Sequence, residues 1–265
     1  MTRHYLLGAA YWAALTVFAL PLALILLTSL AQGDVVGFPL RGFSLHWYSV
    51  ALSDPDYHRA FALSAVLAVT SAGLAVIAGS WIGLATASLR SRWAELALMG
   101  GAVLPLVTPG VIHAVSLRIA IQIIGLDPGV AAVLLGHAIH ATPYAAIMVQ
   151  ARRATLPGEL VEAARVDGAG SLAIMRHVVG PWLRPAWLGA FALAALTSFD
   201  DFIRSFFLGG YDPTLPVLIF GRLRSGLTPE INAVSTLVLL VMSFVCLMAG
   251  RLGSLRPGPA FYRGG

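Results

Sequence analysis

The sequence predicts an all-α, polytopic membrane protein of six helices, and three observations carry that expectation. Of 265 residues, 58% are hydrophobic and only 11% charged, against about a quarter charged in a soluble globular domain. Mean hydropathy is +0.83. A helix crossing a hydrocarbon core of about 30 Å needs about 20 mostly apolar residues. Runs of that size with few or no charges recur at 5–30, 60–88, 96–124, 129–151, 185–208 and 231–250. Little chain remains for a soluble module, so residues 1–265 are expected to form a single transmembrane domain.

The first run follows Arg3 and His4 and invites comparison with a signal peptide. It is about twice the roughly 7–15 residues of a signal h-region, and no small-x-small cleavage site closes it, so it is read as a span. In the segment that follows, Ser44 is a candidate N-cap, and Trp47 with Tyr48 suit a helix at the membrane interface. These aromatics are either interfacial anchors or substrate contacts. After the fourth run Pro157-Gly158 breaks the chain, and 159–167 offers good helix formers with an acid in the first turn. Gly168 fits a left-handed residue ending that helix. A second helix is expected from an N-cap at Ser171 to His177, ahead of Pro181, so that 156–181 reads helix, bend, helix outside the membrane. The loop 209–230 carries Pro213, Pro216 and Pro229, and its apolar stretch 215–220 is expected to dip back as a re-entrant segment covered by protein.

All 17 basic residues are arginine. Without lysine there is no G-x-x-x-x-G-K-[ST] phosphate loop, which excludes a P-loop ATPase domain. Cys246 stands alone and forms no intrachain disulfide. Alternate loops divide unequally: Arg3, Arg90, Arg92, Arg152, Arg153, Arg165, Arg176, Arg184, Arg251, Arg256 and Arg263 on one side, and Arg41, Arg59, Arg222 and Arg224 on the other with Asp34, Asp54, Asp56, Asp127, Asp212 and Glu230. Arginine-rich loops face the cytoplasm, so both termini and the 156–181 loop are expected there. The same bias explains a pI near 9.9 without nucleic acid.

Within the loop, Glu162, Ala163, Ala164, Gly168, Val178 and Pro181 fall in register on the pattern E-A-A, three residues, G, nine residues, I-x-L-P. This resembles the coupling loop of ATP-binding-cassette importer permeases; Gly180 stands where the family has Leu, a departure expected to loosen the second turn. Gly42-Phe43-Ser-Leu-His-Trp47-Tyr48, His137 ahead of Pro143, Ser198-Phe-Asp200-Asp201-Phe and Leu215-Pro216 with Thr228-Pro229-Glu230 resemble the spermidine/putrescine branch, second permease subunit type. The resemblance implies the type I importer (MetI-like) permease fold in the bacterial inner membrane. It implies a coupling helix carrying Glu162, Ala163, Ala164, Asp167, Gly168 and Pro181. It also implies a homologous permease partner, two ATPase subunits holding ATP and Mg, and a periplasmic solute-binding protein, with no cofactor and no catalytic residue in this chain.

Ionisable residues inside spans are costly and become functional candidates. Asp200, Asp201, Arg204 and Arg118 qualify. On one helix Asp200 and Asp201 reach Arg204 at i+4 and i+3 and can neutralise it. The resemblance implies instead that the acids line the solute pathway, for which Arg204, Trp47 and Tyr48 are also candidates, with at least one carboxylate remaining free of Arg204 to attract a polyamine ammonium. Arginines facing that pathway favour an anionic or zwitterionic solute instead, such as an aminophosphonate, amino-acid derivative or opine. His113, His137 and His140 raise a metal site, but no H-E-x-x-H occurs, and polar packing between helices is the expectation. A secondary transporter or channel is the competing non-enzyme class.

Overall fold

Helices form where the apolar runs predict them, but two expected spans are broken. The computed structural model describes residues 2–253 except 34–36, 38, 39, 41, 90 and 227. Asp34, Arg41, Arg90, Arg256 and Arg263, which entered the charge comparison, lie outside the described residues. In chain order the helices are α1 (Thr2–Ser29), α2 (His46–Ser53), α3 (Pro55–Thr86), α4 (Arg92–Val107), α5 (Gly110–Ile123), α6 (Val130–Ala154), α7 (Gly158–Val166) and α8 (Ser171–Ile174). A π-helical turn, Met175–Val179, leads into α9 (Gly180–Phe199), followed by α10 (Phe202–Leu208), α11 (Leu215–Ser225) and α12 (Pro229–Gly253). Among the described residues four helices, α1, α3, α6 and α12, contain stretches long and apolar enough to cross a membrane, and two bent pairs bring the number to six if each is one span.

The run 96–124 is not one helix. α4 and α5 meet at 110°, because Pro109 lacks an N–H and pushes Thr108 out of helical backbone, to φ −72° and ψ 131°. The run 185–208 bends by 60° between α9 and α10. There Asp201 leaves the helix and caps the next, its Oδ1 accepting the Arg204 N–H at 3.0 Å. The second helix of the 156–181 loop also differs from expectation. Gly170 is its N-cap rather than Ser171, and it does not stop before Pro181 but runs on through the π turn into α9. The wider turn lies directly ahead of Pro181, where a regular α-turn would crowd the proline ring.

The chain divides into two units, Met1–Arg59 with Leu218–Phe244, and Ala60–Val217 with Val245–Gly265. In the first, Asn232 Nδ2 donates to Thr28 Oγ1 at 2.9 Å, and Tyr48 and Ser29 share a 2.6 Å hydroxyl bond. In the second, α3 crosses α6 closely. A Cβ on Gly79 would lie 2.8 Å from the Thr142 carbonyl oxygen, and one on Gly83 2.8 Å from that of Ala146. Small residues four apart let helix backbones approach where lipid supplies no hydrophobic drive. Ala72, Ala75, Ala141 and Ala194 extend this contact and are fully or almost fully buried. The resulting α3, α6 and α9 packing holds both the loop and the intramembrane charges.

Candidate functional site

The α7 helix is built as its sequence predicts. Glu159 lies in its first turn, and it ends at Gly168 with φ +80°. The Ala169 N–H bonds the Ala164 carbonyl at 2.9 Å and the Gly168 N–H that of Arg165 at 3.0 Å, a Schellman ending that satisfies two orphan carbonyls. Val161 and Ala164 pack on a core of Val149, Leu156, Ile174, Val179 and Leu183. Glu159, Glu162, Ala163 and Val166 are left exposed on the outer face. Glu162 has no partner among the described residues, while Arg152 is held elsewhere: its Nε donates to the Trp182 carbonyl at 3.0 Å and its guanidinium stacks 4.5 Å from the Trp182 ring centroid. Gly180 stands within continuous helix after the π turn, where a Cβ would come 2.8 Å from the Met175 carbonyl oxygen. Its lack of a side chain permits that turn.

The intramembrane charges separate. Asp201 and Arg204 are both buried and joined at 2.5 Å, and Arg204 Nε donates to His113 Nδ1 at 3.4 Å. Asp200 is exposed, and its side chain has no partner among the described residues. The expected i,i+4 pairing of Asp200 with Arg204 does not form, because the helix breaks between them. Arg118 donates from Nη1 to the Phe207 carbonyl at 2.6 Å and meets no carboxylate among the described residues. Trp47 and Tyr48 belong to the first unit; both are half-buried, with Trp47 Nε1 donating to the Gly33 carbonyl at 3.3 Å and Tyr48 on Ser29. Ser44 accepts the His46 N–H at 3.1 Å rather than acting as the N-cap, which is Leu45.

Sequence reasoning expects polar packing between helices for His137 but does not name its partners, and it does not single out Arg222. His137 is a buried hub, its Nδ1 bonded to Ser198 Oγ at 2.7 Å and its Nε2 to Ser205 Oγ at 3.1 Å, while Ser71 donates to Ser198 at 2.9 Å. Only the helix packing brings these serines to it. Arg222 ties three segments of the first unit: it reaches Asp54 at 2.7 Å, Glu230 at 3.2 Å and Asp56 at 3.6 Å, over the Tyr57 ring. Burial pushes the Asp54 carboxyl up, but the Asp56 N–H and Arg222 more than offset this and hold it below the usual value. Among the described residues no cluster of three or more His, Cys, Asp or Glu could hold a metal ion.

The family model for binding-protein-dependent transport system inner membrane components matches residues 75–254. The chain belongs to that family. This permease is 28% identical to the spermidine/putrescine transport system permease protein PotC of Haemophilus influenzae, over 95% of this chain and 97% of that protein. It is 33% identical to the putrescine transport system permease protein PotI of Escherichia coli K12, over 78% of this chain and 76% of that protein. Among solved structures, a chain of a bacterial transporter importing alginate aligns with TM-score 0.76 at 16% identity, over 95% of this permease and 96% of that chain. A chain of the MetNI methionine transporter aligns with TM-score 0.63 at 19% identity, over 74% and 94%. These two share the permease's fold, that of ABC importer membrane subunits.

Proposed function

We propose that the permease is one membrane half of an ATP-driven importer of polyamines, coupled through the exposed face of α7. The observation that carries the solute is the split of the acidic pair. Asp201 neutralises Arg204 in the interior, which removes the cation that would repel a polyamine and leaves Asp200 as a free, exposed carboxylate for an ammonium group. The names of the PotC and PotI relatives support the same class of solute. Trp47 and Tyr48 remain candidate lining residues. A second reading rests on Arg118, which keeps its charge uncompensated by any carboxylate among the described residues and suits an anionic or zwitterionic solute.

In this reading Glu162, Ala163 and Ala164 present a short, rigid helix to an ATPase subunit, with Asp167, Gly168 and Pro181 fixing its end and the return into α9. Two ATPase copies bind ATP and Mg, a homologous permease completes the pore, and a periplasmic protein delivers the solute. The loop and both termini face the cytoplasm. ATP state biases inward- or outward-facing conformations through different contacts at the loop. The test is ATP hydrolysis by the reconstituted complex with spermidine, putrescine or 2-aminoethylphosphonate and the binding protein. Stimulation by a polyamine, abolished by Glu162→Lys with the complex still assembled, is expected. Stimulation by the phosphonate alone would transfer the assignment to the second reading.

A further inference from the structure

A cavity of about 220 Å³ lies beside α7, bounded by the ends of α3 and α6 and by α8. Arg153, Arg165 and Ser171 line it, and none of these side chains has a hydrogen-bond or ion-pair partner among the described residues. Neighbouring Arg152, in contrast, is held on Trp182 through its Nε and its guanidinium plane. Leu84 and Ile174 supply apolar walls. Arg165 follows Val161 by one turn on the side of α7 away from Glu159, Ala163 and Val166.

Two unpaired guanidinium groups and a free hydroxyl make a site for a phosphate, which arginine binds through parallel N–H donors. The apolar neighbours decide which phosphate. Ile77 and Trp81 are 60% and 75% exposed on α3, and with Leu84 they form one stripe at helical spacing that runs along the span into the cavity. At roughly 30 Å³ per water the cavity holds a phosphate and a glycerol unit, while hydrocarbon chains would lie along Ile77 and Trp81 outside it. A free phosphate has no use for that stripe. We propose that this cavity binds the phosphate of an anionic membrane phospholipid, behind the helix that couples the permease to its ATPase. Whether or not the solute is a polyamine has no bearing on it.

The test is native mass spectrometry of the purified full chain in neutral detergent, titrated with dioleoylphosphatidylglycerol and, separately, with dioleoylphosphatidylcholine. One phosphatidylglycerol is expected to bind in preference to phosphatidylcholine. Arg153→Gln with Arg165→Gln should weaken it roughly thirtyfold, from two lost charge contacts, and Arg176→Gln, outside the cavity, should leave it unchanged. Should the double variant fold poorly, Arg165→Gln alone, on an exposed helix, and Ala87→Phe, which fills the cavity and keeps both charges, must each reduce binding. Equal binding of the two lipids, or unchanged binding in the variants, overturns the proposal. Displacement of the lipid by millimolar inorganic phosphate also overturns it, assigning the site to a free anion.

Discussion

Replacing Asp201 with Asn separates a buried ion pair from a helix cap. An Asn at this position still offers a side-chain oxygen to the Arg204 N–H, now 3.0 Å from Asp201 Oδ1, and Asn caps helices as well as Asp. What is lost is the charge facing the guanidinium. The side chains of Asp201 and Arg204 are only 5% and 7% exposed, so solvent does not screen the change as it would at a surface pair. Removing one partner of such a pair costs about 3–5 kcal/mol. The amide oxygen remains as an acceptor, which favours the low end, about 3 kcal/mol, or a melting point about 6–12 °C lower. Asp200→Asn, at an exposed and unpartnered carboxylate, should move stability by less than about 0.5 kcal/mol while reducing solute-stimulated ATP hydrolysis. Thermal unfolding of both variants in the same detergent checks this, and Asp201→Asn combined with Arg204→Met should recover part of the loss. Equal melting points for the two single variants would refute the assignment of Asp201 to structure and Asp200 to solute.

Gly168→Ala forces a side chain into left-handed backbone and should cost about 1–2 kcal/mol; the amides of residue 168 and Ala169 should then exchange with deuterium about five- to thirtyfold faster. His137→Phe keeps an aromatic ring but strips hydrogen bonds from Ser198 and Ser205, so a loss of about 2 kcal/mol or more is expected in thermal unfolding. Asp54 carries a depressed folded pKa, so its contribution is present above the unfolded value near 3.9 and is lost as pH falls through the lower folded value. Arg222→Gln should therefore cost about 1 kcal/mol after solvent screening at pH 5–8, and the part of that cost due to Asp54 should disappear as pH falls through the lower folded value.

Span positions are legible because apolar length is a property of one segment, and the ending of α7 because Gly168 supplies positive φ wherever the chain goes. The fate of Asp200 is not legible in the same way. Its i,i+4 relation to Arg204 holds only if one helix continues through both, and the cap formed by Asp201 ends that continuity. Thr108-Pro109 carried a readable warning that the third span would break, and Gly79 with Gly83 a readable sign of the α3 and α6 crossing. The His137 hub depended on Ser71, Ser198 and Ser205 arriving from separate helices, which spacing along the chain does not encode.

The two broken spans and the intramembrane charges have one physical origin. Breaking a helix inside a membrane exposes backbone groups that no water can satisfy, so such breaks persist only where protein supplies partners. The partners here come from the charged residues. Asp201 satisfies the first turn of α10. At its other end Arg118, from α5, donates to the Phe207 carbonyl, where a cation also complements the helix dipole. His113, also on α5, accepts from Arg204. Three of the four residues that sequence marks as intramembrane charges are thus consumed in holding two half-helices together. Asp200, at the hinge itself, is the one whose side chain this scaffold leaves unused.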